Sequence, residues 1–202
     1  MKIFFNGLIT GLLLQLAIGP VFFFILNLVL QKDLANGFVA VLAVTFVDYL
    51  YITLAIFGIG KLLEKKKFKK FFGLVSSIVL IIFGIMIIKN ITNDISTISV
   101  NSTDIFASFT AAFLLTILSP MTIVFWTSVF AAKALEKNYV KHELFIFGFA
   151  TGLATLLFLG TSVLLLSLFK ATVPLMLIHI LNFIVGGILI LYGFIRLKAS
   201  RG

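Results

Sequence analysis

Asp48 is the one acidic side chain placed well inside a long apolar stretch of this sequence. A carboxylate at mid-bilayer depth costs about 2.5 kcal/mol or more, so it marks a functional position by default. At helical spacing its neighbours are Val41, Val44, Thr45, Tyr51, Ile52 and Ala55. Thr45 and Tyr51 carry hydroxyls that can hydrogen-bond beside it, so this face is expected to point into a helix bundle. There Asp48 is suited to gaining and losing a proton; the alternative is a structural carboxylate tied to a neighbouring hydroxyl.

Pro20 and Pro120 are the second feature an apolar medium tolerates badly. Each removes a backbone donor and clashes with the preceding turn, which frees carbonyls in a solvent that offers them nothing. One such proline is an ordinary kink. Two at corresponding places suggest broken helices, whose half-helix N-termini present free amides and the positive dipole end near the midplane, where an anionic group can dock. Gln15 and Asn27 flank the first break, and Gly7, Gly11 and Gln15 share a face; Thr116, Ser119 and Thr122 surround the second. In the chain's final apolar stretch His179 and Asn182 sit one turn apart, the histidine near the outer third of the span. The candidate substrate or ion pathway therefore comprises Gln15, Gly19, Pro20, Thr45, Asp48, Tyr51, Ser119, Pro120 and Asn182. Single serines and threonines also bond their own helix carbonyls, which is the plainer reading for them. Gly148 and Gly152 form a small-xxx-small face of the kind used for helix packing.

Catalysis finds no foothold in these residues. There is no His/Cys/Asp/Glu cluster at metal-ligand spacing and no phosphate-binding glycine loop. The two histidines, His142 and His179, make no site, and there is no cysteine. The chain is expected to be no enzyme and to need no cofactor or resident metal.

The elements that must hold these residues are long apolar helices. Of the 202 residues 61% are hydrophobic and 11% charged, against roughly 45–50% and 25% in soluble domains. A helix needs about 20 apolar residues to cross the hydrocarbon core. Six stretches qualify, at about 3–30, 35–60, 71–90, 105–132, 143–169 and 173–197. The first runs well past the length of a signal-peptide core, so it reads as a span. The predicted fold is an all-α integral membrane protein, residues 1–202 forming one transmembrane domain. Orientation follows from Lys and Arg. With the N-terminus inside, the cytoplasmic side collects Lys2, the run Lys61 to Lys70, Lys133, Lys137, Lys141, Arg196, Lys198 and Arg201. The other side holds Lys32, Lys89 and Lys170. Both termini are then cytoplasmic, and the basic run is a topology anchor on anionic lipid, not a nucleic-acid site. A homo-oligomer is left open.

Internal similarity divides the chain in two. Leu80-Ile-Ile-Phe-Gly84-Ile-Met-Ile-Ile-Lys89 closes the third stretch and Leu189-Ile-Leu-Tyr-Gly193-Phe-Ile-Arg-Leu-Lys198 closes the sixth, sharing the glycine and the final lysine. Thr10, Leu14 and Gly19-Pro20 correspond to Thr110, Leu114 and Ser119-Pro120. Halves of three spans each, about 3–90 and 105–198, enter the membrane from opposite sides, so the repeat is inverted, with the first and fourth helices broken at proline. Such an architecture favours alternating access over a static brace.

The same residues carry a family resemblance. Ile18-Gly19-Pro20 in the first span, the second span running from Gly37 through Asp48 to Gly58, Ser119-Pro120-Met121 at the start of the second half, and the close from Gly186-Gly187 through Gly193 to Leu197 resemble the lysine exporter (LysE) family, with its homoserine and threonine efflux relatives. Two departures mark a divergent member: the Asn and Lys that flank the second proline in the family are absent, and Val44 and Thr45 replace glycines usual before the second-span acid. The resemblance implies secondary-active export of amino acids or similar small solutes across the cell membrane, driven by a proton or ion gradient. Two alternatives stand beside it: export of a metal cation by the same architecture, and a non-transporting membrane subunit.

Overall fold

The computed structural model describes residues 1–16, 19–58, 66–92, 104–170 and 175–201. Among them the chain forms eight helices: α1 (Lys2–Gln15), α2 (Pro20–Gln31), α3 (Leu34–Ile56), α4 (Lys66–Thr92), α5 (Ile105–Ile117), α6 (Pro120–Glu136), α7 (Lys141–Phe169) and α8 (Leu175–Arg201). Ile18 of the Ile-Gly-Pro motif, Lys61 and Lys65 of the basic run, and residues 171–174 lie outside the described residues.

The helix ends follow from local chemistry. Asp33 caps α3 by accepting the backbone N–H of Asn36 at 2.8 Å and its side-chain amide at 2.9 Å; these two bonds hold its carboxyl below the usual carboxylate range. Asp104 caps α5 through the N–H of Ala107 at 3.0 Å, and the Val140 N–H donates to Glu143 in the first turn of α7. After α3 the chain turns at Gly58, whose φ of +73° is open to glycine without a Cβ penalty. The third apolar stretch is extended in the structure: α4 begins at Lys66, inside the basic run, because lysine is a good helix former once an apolar segment anchors the helix.

Both prolines start helices instead of kinking them. Pro20 and Pro120 are the first residues of α2 and α6, following extended Gly19 and Ser119. There a missing N–H costs nothing and the fixed φ already suits a helix. The first and fourth apolar stretches are thus each two helices, α1 with α2 (bent by 78°) and α5 with α6.

Among the described residues α3 and α7 are each long and apolar enough to cross a bilayer, and the bent pair α1–α2 makes a third candidate if it is one span. Ser77–Lys89, Ile105–Ile117 and His179–Ile195 are shorter apolar stretches. The outer surface suits lipid: Phe5, Ile9, Leu13 and Leu16 form an exposed stripe on α1, and Leu168 and Phe183 are 74% and 64% exposed. A water-soluble surface does not tolerate such continuous apolar area.

Within the bundle α3 and α7 pack on each other, α1 lies along α7, α5 along α3, and α4 along α8. One core cluster surrounds α2, with Phe24, Ile25, Leu28 and Val29 against α3, α4, α7 and α8; a second surrounds α6, with Ile123, Trp126 and Phe130 against α3 and α7. Small residues set the closest approaches. A Cβ on Gly11 would lie 2.6 Å from the Ala154 Cβ, and one on Gly148 would lie 2.7 Å from Ile52. Along α4 and α8 the contacts repeat. A Cβ on Gly84 would meet the Gly186 carbonyl oxygen and Ile190, and a Cβ on Gly193 would meet the Ser77 carbonyl oxygen and Ile81. The same sequence separation divides Gly84 from Gly193, Ser77 from Gly186 and Ile81 from Ile190.

The α4–α8 contact separates two adjacent glycines. A Cβ on Gly186 would sit 2.8 Å from the Gly84 carbonyl oxygen and 2.6 Å from Ile88, whereas Gly187 has nothing within 4 Å. Gly186→Ala is expected to destabilise the protein by about 1–3 kcal/mol through overpacking, and Gly187→Ala to leave it unchanged or slightly firmer. Thermal unfolding of the two variants in detergent checks this; equal melting of both contradicts the close approach.

Candidate functional site

A cavity of about 540 Å³ lies where the N-termini of α2 and α6 approach α3. Gln15, Gly19, Pro20, Asp48, Ser119 and Trp126 are among the residues that line it, so both breaks and the intramembrane carboxylate open on one space. Neither break carries a side-chain cap on its helix. Proline has no N–H to offer, and the Phe22 and Thr122 amides turn back onto the Gly19 and Ser119 carbonyl oxygens at 3.1 Å, so what each break presents is a positive dipole end with the second-position amide, of Val21 or Met121. The break before α6 also frees the last carbonyls of α5, and the Tyr51 hydroxyl donates to one of them, that of Ile117. This meets the demand that an interrupted helix in lipid finds its partners inside the protein.

Asp48 is 5% exposed and is held from two other helices. The Trp126 indole N–H of α6 donates to Oδ1 at 3.1 Å, and the Thr155 hydroxyl of α7 donates to Oδ2 at 2.9 Å. Thr155 in turn accepts from the Gln15 side-chain amide of α1 at 2.6 Å. Four helices thus meet at one carboxylate, and both of its described donors are neutral. An acid supported in this way keeps lone pairs free for a proton or for an ammonium group. Thr155 stands as far from the start of α7 as Asp48 from the start of α3.

The structure redistributes the sequence candidates. Gln15, Gly19, Pro20, Asp48 and Ser119 come together at the cavity, and Pro120 fixes the start of α6 beside it. Thr45 and Tyr51 do not support the carboxylate as expected. Thr45 donates to the Val41 carbonyl of its own helix at 2.8 Å, and Tyr51 serves the break. Asn182 is buried but does not line the cavity; it accepts from the side-chain amide of Asn27, tying α8 to α2. His179, half-buried on α8, also lies outside the lining. Thr116 and Thr122 do line it. Gly148 and Gly152 pack against α3, as their spacing suggests for a packing face. Sequence reasoning missed Trp126 and Thr155. The signal for Trp126 was its being the one tryptophan of the chain, six residues into a helix and far from an interfacial position; for Thr155 it was the match in position with Asp48. Among the described residues no three His, Cys, Asp or Glu side chains come together as metal ligands.

A second polar cluster closes one end of the bundle. Asn36, held by Asp33, accepts from the Ser108 hydroxyl at 2.6 Å; Ser108 accepts from the Lys32 ammonium at 3.1 Å; and Lys170 donates to the Lys32 carbonyl oxygen at 2.6 Å. It links the α2–α3 turn to the start of α5 and the end of α7.

A family model described as LysE type translocator matches residues 12–198, and the chain belongs to that family. It is similar to a protein of Bacillus subtilis (strain 168) named "Putative amino acid efflux protein YcgF", 27% identical over 96% of this chain and 94% of the relative. No solved structure matches.

Two measurements check the site's geometry. Because Trp126 is the sole tryptophan and bonds to Asp48, Asp48→Ala is expected to shift the intrinsic emission of the folded protein while Asp104→Ala leaves it in place; unchanged emission from Asp48→Ala contradicts the contact. Tyr51→Phe strips the Ile117 carbonyl of its partner and is expected to cost roughly 0.5–2 kcal/mol of stability, the range for side-chain bonds within membranes, read by thermal unfolding.

Proposed function

We propose that this LysE-family chain is a secondary-active exporter of amino acids or closely similar zwitterions, working by alternating access and coupled to the proton gradient. The observation that carries the reading is the convergence of two uncapped half-helix N-termini and one buried carboxylate on a single cavity. A carboxylate of the cargo docks on the first-turn amides of α2 and α6, where the dipole ends favour negative charge. Its ammonium takes the lone pairs of Asp48 that Trp126 and Thr155 leave free. When the cargo leaves, Asp48 accepts a proton in its place, so that outward cargo movement and inward proton movement share one acid. The printed name of the Bacillus relative, with its amino acid efflux, supports the same cargo class.

The frame for this mechanism is six spans in two inverted halves: α1–α2, α3 and α4 in one, α5–α6, α7 and α8 in the other. Three observations support it. The contacts of Gly84 and Gly193 repeat residue for residue. The packing is exchanged between halves, since α1 lies along α7 as α5 lies along α3. Each half-helix that follows a proline is the centre of its own core cluster. Rocking of one half against the other then exposes the cavity to either side in turn. In this six-span frame thirteen of the sixteen Lys and Arg residues would fall on the side of both termini, which supports cytoplasmic termini in a cell-membrane exporter.

Asp48→Asn keeps the shape of the site and removes its charge. Efflux of an amino-acid mixture from loaded proteoliposomes is expected to fall at least about ten-fold, the loss of one charge-assisted contact. Undiminished efflux by Asp48→Asn would sink the mechanism, and no efflux by the unaltered protein would sink the function.

A further inference from the structure

Resting on that reading, we infer that the cargo is an amino acid with an uncharged, apolar side chain of leucine or phenylalanine size, and that basic amino acids are excluded. The cavity's charge is the first ground. Asp48 is the sole charged side chain among the described lining residues. The two half-helix N-termini beside it each carry the equivalent of about half a positive charge, so the site as a whole is close to neutral. A zwitterion satisfies both parts: its carboxylate offsets the helix ends and its ammonium offsets Asp48. A second ammonium on the cargo would find no counter-charge and would lie near two positive dipole ends. A second carboxylate would find no cation.

The wall is the second ground. Away from the breaks and Asp48 the lining includes Leu14, Phe22, Val44, Leu115, Phe125 and Leu159. A charged or strongly hydrated side chain loses its water against such a surface without replacement, whereas an apolar one gains by leaving water. The remaining polar lining, Gln15, Thr116, Ser119 and Thr122, is neutral, so it offers a second ammonium no counter-charge to replace its water. Size is the third ground. About 540 Å³ lies within the range of sites that enclose ligands larger than the smallest amino acids, so glycine or alanine leaves the apolar wall uncovered and a branched or aromatic side chain covers it.

Two readouts on the full-length protein test this. In proteoliposome counterflow, uptake of labelled leucine and of labelled lysine is measured separately, each challenged with excess unlabelled leucine, phenylalanine, alanine, threonine, lysine or glutamate. In detergent, Trp126 emission is titrated with leucine and with lysine. Leucine and phenylalanine are expected to compete at least ten-fold better than lysine or glutamate, with alanine between, and leucine to alter the emission at concentrations where lysine does not. Lysine uptake or lysine competition equal to that of leucine overturns the inference while leaving amino-acid export standing. Absence of counterflow and of any emission change with every amino acid overturns both.

Discussion

The rest of this structure depends on one constraint: a backbone amide or carbonyl inside a bilayer must find its partner within the protein. Two helices are nevertheless interrupted at Pro20 and Pro120, and the fold is arranged around those interruptions. Gly19 and Ser119, which precede the two prolines, both line the cavity beside α3. Tyr51 reaches across to the carbonyl freed at Ile117. The small residues that let α1 approach α7, and α7 approach α3, keep the interior tight enough to bury groups that lipid would reject. The two helix starts and Asp48 open on the cavity, where an outside molecule can reach them.

That arrangement also explains which features were legible in the sequence. Proline and aspartate are chemical anomalies in apolar segments, so Pro20, Pro120 and Asp48 announced themselves, and the breaks, the carboxylate and Gln15 do meet. Helical spacing told which residues share a face with Asp48 but not what stands across from that face. Thr45 turned back on its own helix, as hydroxyls in membrane helices do, and Tyr51 went to the break. The true partners, Trp126 and Thr155, come from α6 and α7, and nothing local marks a threonine or an aromatic residue as a ligand. Asn182 illustrates the same limit, because its buried amide meets Asn27 from the far half of the chain and not the cavity. Helix ends were blurred where composition and propensity disagree, as at the lysine-rich start of α4.

α3 and α7 are matched in position and unlike in chemistry. Asp48 and Thr155 occupy corresponding places on α3 and α7, yet one is an acid and the other a hydroxyl, and they hydrogen-bond to each other. A duplicate acid in the second half would set two like charges side by side and force one to stay protonated. A threonine there gives the single carboxylate a neutral donor that is itself steered by Gln15. The near-neutral balance of the cavity follows from this difference between α3 and α7.

The cluster of Asp33, Asn36, Ser108, Lys32 and Lys170 has a bearing on which contacts of the bundle are easiest to part. Its members gather at a bundle end, and water can replace each of their bonds at small net cost. Parting them therefore weighs little against parting the apolar faces of α3 and α7. What the cluster does determine is how three element ends are held. Its bonds draw the α2–α3 turn, the start of α5 and the end of α7 together, so these ends are fastened by contacts that yield before the apolar packing does.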